Sequence, residues 1–110
     1  MNRVFVPQRP SRYDRDAGAW VPTLDISPAE KFGKIVYMLP EGFHKITSPV
    51  MQALDDMLVS FHEDDMILAH GDPGIILAVG WLLGQRNMKK VSLLKWDRFT
   101  SDYSLVEVKR

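Results

Sequence analysis

The sequence contains no cysteine, which excludes disulfide bonds, thiolate metal sites and cysteine nucleophiles. It also has no net charge, because 14 basic side chains balance 14 acidic ones. A chain that binds nucleic acid mainly through its overall field would be basic. The longest apolar run, Ile75 to Leu83, is much shorter than the roughly 20 residues that span a bilayer. Residues 1–4 lack the apolar core of a secretion signal. We therefore expect no membrane partner and a cytoplasmic location.

The composition is that of a soluble globular domain, with 110 residues, 45% of them hydrophobic and 25% charged. Charge is uneven along the chain: residues 41–72 carry seven acidic side chains and one basic, and residues 73–110 carry seven basic and three acidic. Two faces of opposite sign would favour self-association or a charged partner. The alternative is that these segments fold side by side and neutralise each other.

Strand and helix patterns alternate after residue 26. Short apolar runs predict strands at 34–39, 66–70, 91–96 and 103–108. Ser48 before Pro49, and Asp72 before Pro73, have the pattern of an N-cap followed by proline, and they predict two helices, the second ending near Gln85. Connections of this length make the first three strands parallel, and a hairpin makes the last antiparallel. The fold class is therefore α/β, a small two-layer or three-layer sandwich with the order β-α-β-α-β-β.

Residues 1–26 are rich in proline and arginine and predict an N-terminal arm or edge ribbon beside a single α/β domain at 27–110. Residues 4–6 are expected to pair with residues 20–21 around a turn at 14–18. Proline lacks the N–H that a central strand needs, so the sequence places this ribbon at an edge. The prolines concerned are Pro7, Pro10 and Pro22.

The loops that follow the parallel strands all leave from the carboxyl edge of the sheet, where open α/β sheets bind ligands. The candidate ligand-binding residues on these loops are His44, Lys45, Ser48, His70, Asp72, Trp96 and Arg98. Phosphate is disfavoured because Pro73 removes an amide donor and Asp72 adds a negative charge. The alternative for Asp72 is a purely structural role as a helix cap.

Neither a metal, a cofactor nor a catalytic residue is predicted. The acidic cluster at 62–65 precedes a strand that His70 and Asp72 follow, so the two groups lie at opposite ends of that strand and cannot share a metal ion. Ser48, His44 and Asp72 could meet at the carboxyl edge, but the spacing of a nucleophile elbow is missing. We expect a protein that is not an enzyme.

The predicted helix at 73–85 is apolar around most of its circumference, although only one side of it can face the sheet. The excess apolar surface predicts a two-fold homodimer, with the N-terminal arm as a competing cover. The candidate interface residues are Val79, Gly80, Trp81 and Gly84. The two glycines lie four residues apart and would let a second backbone come close.

Arginines surround a tyrosine in the N-terminal segment, a combination that can hold a nucleic-acid backbone and stack on a base. The candidate residues are Arg9, Arg12, Tyr13 and Arg15. Asp14 and Asp16 dilute this positive charge, and arginine suits protein interfaces equally well.

Several segments together resemble a set of small, functionally uncharacterised proteins of tailed bacteriophages. The most specific is Leu-Lys-Trp-Asp-Arg at 94–98, and the others lie at 4–7, 15–22, 71–73 and 103–108. The resemblance implies a phage origin and residence in the cytoplasm of an infected bacterium, and it supplies no site residues. We expect an accessory protein that contacts itself and an unidentified protein. The alternatives are a small-ligand or nucleotide-binding domain and a nucleic-acid-binding accessory protein.

Overall fold

The computed structural model describes residues 2–42 and 45–110, and in these ranges it contains seven strands, two α-helices and a short 3₁₀ helix. The strands are β1 (Arg3–Gln8), β2 (Ser11–Asp14), β3 (Ala19–Pro22), β4 (Lys34–Leu39), β5 (Met66–Leu68), β6 (Lys90–Asp97) and β7 (Asp102–Lys109). The helices are the 3₁₀ helix (Ser27–Phe32), α1 (Ser48–Leu58) and α2 (Pro73–Gln85).

Five strands form one mostly parallel sheet in the order β4-β1-β5-β6-β7. β1 pairs in parallel with β4 and with β5, and β5 pairs in parallel with β6. β7 runs antiparallel to β6, with Leu94 opposite Leu105. The predicted α/β class, the parallel arrangement and the antiparallel last strand are confirmed.

The position of β1 differs from the sequence prediction. Residues 4–6 do not pair with residues 20–21 at an edge; they lie inside the sheet, between β4 and β5. Pro7 is tolerated there because it belongs to neither ladder: pairing with β5 ends at Phe5, and pairing with β4 passes from Val6 to Gln8. Val4 and Val6 are buried against one face and Phe5 against the other, as suits a strand covered on both sides.

Residues 20–21 instead belong to a separate two-stranded ribbon of β2 and β3. Tyr13 lies opposite Trp20, and Arg12 lies opposite Val21. The turn predicted at 14–18 is present, and the Gly18 amide donates to the Asp14 carbonyl at 2.8 Å. Gly18 has a φ of 63°, in the left-handed region that glycine enters without strain.

Helices α1 and α2 cover one face of the sheet, where Leu54 and Leu83 pack with Phe5. The 3₁₀ helix covers part of the other face, where Ala29 packs with Val4. Apolar residues on both sides of the sheet therefore form two cores. No helix in residues 2–42 and 45–110 has the length and apolar character needed to cross a membrane.

The helix starts follow the predicted pattern with one shift. Asp72 caps α2, and its Oδ2 accepts from the Ile75 amide at 3.2 Å. The cap of α1 is Thr47, whose Oγ1 accepts from the Val50 amide at 3.4 Å, and Ser48 is the first helical residue. The prediction that Ser48 is the cap is therefore wrong by one position, because the extended conformation of a cap falls on Thr47.

Candidate functional sites

A cavity of about 220 Å³ lies at the carboxyl edge of the sheet, between the ends of β1 and β5. The residues after β1 form one wall and those after β5 form the opposite wall. The lining residues are Gln8, Arg9, Pro10, Ser11, Trp20, Thr23, Gly42, His70, Gly71 and Asp72. Two of the predicted ligand-binding residues, His70 and Asp72, are therefore together in one concave site.

Gln8 connects the two walls of this cavity. Its side-chain Oε1 accepts a hydrogen bond from the Asp72 amide at 2.7 Å, and the residue is only 8% exposed. Gly71 makes this approach possible, because a Cβ at that position would lie 2.8 Å from Gln8 Oε1. Its φ of 124° is also one that side-chain-bearing residues rarely adopt. The start of α2 is thus held against the end of β1.

His70 is half-buried at the end of β5, and its backbone amide donates to the Leu68 carbonyl at 2.8 Å. Burial lowers the pKa of the His70 imidazole below its ordinary value, because the charged form loses solvation. At neutral pH the ring is therefore uncharged, with one nitrogen able to donate and the other able to accept.

Arg9 and Trp20 form the outer rim of the cavity. The Arg9 guanidinium lies 4.0 Å from the centre of the Tyr37 ring and its Nη1 lies 3.4 Å from Glu41 Oε1. Trp20 packs edge-on against Tyr13, with ring centres 5.7 Å apart. A second, more open cleft of about 570 Å³ adjoins the cavity, and Arg9 and Trp20 line both.

The other residues predicted for this edge lie elsewhere or outside the described ranges. His44 is outside the described residues, and Lys45 is exposed in the loop before α1. Ser48 lines a different groove, beside Trp81. Trp96 packs edge-on against Tyr103 at 5.1 Å, and Arg98 is exposed in the β6–β7 turn. The cavity brings together the segments after β1, β4 and β5, and it does not include the segment after β6.

Gln8 and Trp20 were not among the predicted ligand-binding residues, and Arg9 was assigned to nucleic acid. Gln8 and Arg9 reach the cavity because β1 lies beside β5 and its carboxyl end is at the same edge, whereas Trp20 reaches it through the β2–β3 ribbon. The unbroken apolar run of Val4, Phe5 and Val6 is the sequence signal that could have placed β1 inside the sheet, because strands covered on both faces read as continuous apolar runs.

Helix α2 carries an exposed apolar surface, which we call the α2 face: Leu77, Gly80, Trp81 and Gly84. Leu77 is 74% exposed and Trp81 is 57% exposed, and a Cβ added at either glycine would meet nothing within 4 Å. An apolar groove of about 380 Å³ borders this face, with Ile46 and Met51 on its other side. Val79, the remaining predicted interface residue, is buried in the core and is not part of this surface.

The arginine-rich segment forms the β2–β3 ribbon and the strand end before it. Arg12 and Arg15 are exposed, whereas Arg9 is engaged with Tyr37 and Glu41. Tyr13 is edge-on to Trp20 and half-exposed. This ribbon therefore offers two exposed arginines at the surface, beside the carboxylates of Asp14 and Asp16 in the sequence.

Comparison with protein families gives a match to the model described as "Phage Pam3 gp32-like protein", over residues 2–110. The chain belongs to this family, and the resemblance to phage proteins predicted from the sequence is confirmed. Comparisons with curated proteins and with solved structures give no match.

Proposed function

We propose that this phage protein is a non-enzymatic accessory protein that works in the host cytoplasm through protein–protein contact. The observation that supports this function is the exposure of Leu77 and Trp81 on α2, a helix without a charged side chain. Such a surface is costly to leave in water, and a contiguous apolar patch of this kind marks an interaction site.

The N-terminal segment leaves the α2 face open. β1 lies within the sheet, and the β2–β3 ribbon borders the carboxyl-edge cavity through Ser11 and Trp20. The N-terminal segment, which was the competing candidate to cover α2, therefore packs elsewhere in the fold. The surface is available for another molecule.

A second copy of the chain is the occupant that we propose for the α2 face. Bulky and small residues alternate along it, in the order Leu77, Gly80, Trp81 and Gly84, so a two-fold related helix can place its bulky residues beside the glycines of the first. The absence of charge on α2 means that two copies meet without unpaired ions. Trp81 has the size and aromatic character of an interface anchor.

Sedimentation velocity over a range of micromolar concentrations tests this proposal. The wild-type chain should sediment as a concentration-dependent dimer, and Leu77→Glu should sediment as a monomer near 12.6 kDa. Val59→Glu is the matched control, because Val59 is an equally exposed apolar residue at the end of α1. It should remain dimeric.

A wild-type chain that is monomeric at every concentration contradicts the second copy as occupant. Affinity capture from phage-infected cells, with the wild type and the two variants as baits, then shows whether the α2 face binds a different protein. A host or phage protein that is retained by the wild type and by Val59→Glu, but lost with Leu77→Glu, makes α2 a contact for a different protein. Identical captured proteins for all three chains would contradict any role of the α2 face in binding.

A further inference from the structure

The sheet reverses its winding direction between β1 and β5. From β1 the chain crosses to β4 by way of the 3₁₀ helix, on the face where Ala29 packs with Val4. From β5 it crosses to β6 by way of α2, on the opposite face, where Leu83 packs with Phe5. Because the segments after these two neighbouring strands leave to opposite faces, a crevice opens between their carboxyl ends, and open α/β sheets bind ligands at this switch point.

The 220 Å³ cavity occupies this crevice, since Gln8 to Ser11 line it from the β1 side and His70 to Asp72 from the β5 side. Its volume is below the roughly 300–1,000 Å³ of pockets for drug-sized ligands, so it suits a single ring system. The adjoining 570 Å³ cleft shares Arg9 and Trp20 with it and leaves room for a substituent on that ring.

The hydrogen-bonding capacity of the cavity is only partly used by the protein. The Asp72 amide fixes the orientation of the Gln8 side chain, because only Oε1 can accept its hydrogen bond. Within residues 2–42 and 45–110, Gln8 Nε2 has no hydrogen-bond partner, although Gln8 is more than nine-tenths buried. Among the described residues, the fully buried side-chain polar atoms without a partner are Arg86 Nε and Tyr103 Oη. Gln8 Nε2 is instead accessible in the cavity lining, so it can donate to a ligand carbonyl.

The charges around the cavity disfavour an anion. Arg9 is the one cation among the lining residues described; Glu41 is paired with it, and the Asp72 carboxylate belongs to the same lining. Pro73 has no amide hydrogen, and the Asp72 carboxylate already occupies the start of α2 through the Ile75 amide. The neutral His70 ring and the Trp20 indole complete a lining with donors, acceptors and an aromatic surface.

We propose that this crevice binds a nucleobase, free or as a nucleoside, with a carbonyl of the base accepting from Gln8 Nε2 and its ring against Trp20. His70 donates to or accepts from the polar edge of the base. An uncharged heterocycle satisfies the mixed donors and acceptors of the lining, and any sugar extends towards the cleft beside Arg9. This site is separate from the α2 face, and its occupancy does not depend on self-association.

The test is titration of the ¹⁵N-labelled chain with adenosine, cytidine and uridine, followed by two-dimensional NMR. Cytidine or uridine, whose bases carry a carbonyl, should shift the Gly71 amide and the Trp20 indole signals, whereas adenosine, which has no carbonyl, inorganic phosphate and ribose should not. Trp20→Ala should weaken the binding at least about fivefold, the lower end of what one base–aromatic stack contributes. His70→Ala should weaken it as well.

Trp96→Ala is the matched control, because Trp96 is 37% exposed against 38% for Trp20 and likewise packs edge-on against a tyrosine. It should bind the nucleoside within twofold of the wild type. His70→Ala, which changes the opposite wall, keeps the test decisive if the β2–β3 ribbon unfolds in Trp20→Ala. The proposal is overturned if neither cytidine nor uridine shifts these signals at millimolar concentration, if phosphate alone shifts them, or if His70→Ala binds as tightly as the wild type.

Discussion

Arg3 and Asp65 join the amino ends of β1 and β5 through two separate contacts. The Arg3 backbone amide donates to Asp65 Oδ1 at 2.9 Å, and its guanidinium Nη2 donates to Oδ2 at the same distance. The His62 amide also donates to Oδ2, at 2.9 Å. Asp65 is 2% exposed, so this buried carboxylate is neutralised and fully bonded where the central strand begins.

Replacing Asp65 by Asn should lower the free energy of unfolding by about 2 kcal/mol, because hydrogen bonds to charged groups contribute roughly 1.5–3 kcal/mol and the guanidinium loses its counter-ion. Urea denaturation monitored by circular dichroism measures the change. Asp64→Asn, at the exposed neighbouring position, is the control and should stay within about 0.5 kcal/mol of the wild type. Equal stability of the two variants would contradict a stabilising role for the pair.

The same carboxylate predicts an acid-dependent loss of stability. Burial acts to raise the pKa of Asp65, but hydrogen bonds from the Arg3 side chain and from the His62 and Arg3 amides outweigh it, and the pKa falls below 3.8. Since the folded form binds the proton less well than the unfolded chain, this contribution is complete above pH 3.8 and is lost as the pH falls through the lower, folded-state pKa. Urea midpoints measured from pH 6 down to pH 2 should fall less steeply for Asp65→Asn than for the wild type.

His70 predicts a second loss of stability, at higher pH. Because burial lowers its pKa below 6.5, the unfolded chain binds the proton more readily than the folded one. Stability should therefore decline as the pH falls below 6.5 towards the folded-state pKa, and His70→Gln should remove this part of the slope. His62→Gln, at an exposed position, serves as the control. A slope that persists unchanged in His70→Gln would show that another group is responsible.

The cap of α2 gives a prediction about helix stability. Asp72→Ala removes the acceptor for the Ile75 amide and should cost about 1 kcal/mol of unfolding free energy. Thr47→Ala at the cap of α1 should cost less, because its hydrogen bond to the Val50 amide is longer, 3.4 Å, and exposed. Chemical denaturation of both variants measures the difference. If Asp72→Ala keeps full stability, the cap is not what holds the start of α2.

The helices and most strands could be predicted from the sequence because their signals are local. Asp72 followed by Pro73 defines the start of α2 whatever the helix packs against, and the run at 91–96 is apolar enough to identify β6. The place of β1 depends instead on which strands it meets. Proline has no N–H to donate within a sheet, so Pro7 argues against placing this segment between two other strands. The structure removes the objection, because the pairing of β1 with the short strand β5 ends at Phe5, before Pro7.

The prediction of the candidate site was limited in the same way, because the sequence does not show which strands lie next to each other. His70 and Asp72 could be placed at the carboxyl edge because they lie at and just after the end of a predicted strand. Gln8 could not, since its role depends on β1 lying next to β5 and on the Asp72 amide being within reach, a contact between residues 64 positions apart. Trp20 reaches the cavity only through the fold of the β2–β3 ribbon, which pairs it with Tyr13.

Two glycines with opposite surroundings give the last prediction. A Cβ at Gly33 would lie 2.4 Å from the Asn2 carbonyl oxygen, a backbone atom that cannot move aside, so Gly33→Ala should destabilise the chain. Gly80 lies in the middle of α2 with open space around it, so Gly80→Ala should raise the unfolding free energy of the monomer by up to about 1 kcal/mol.

Gly80→Ala also distinguishes folding from self-association. The added methyl group fills the space that we propose a second copy occupies, so the variant should be more stable as a monomer and yet dissociate at a higher protein concentration than the wild type. Urea denaturation at low protein concentration measures the first effect, and sedimentation velocity measures the second. If Gly80→Ala dimerises as tightly as the wild type, the glycines of the α2 face do not receive the partner helix, and the contact must lie elsewhere on the molecule.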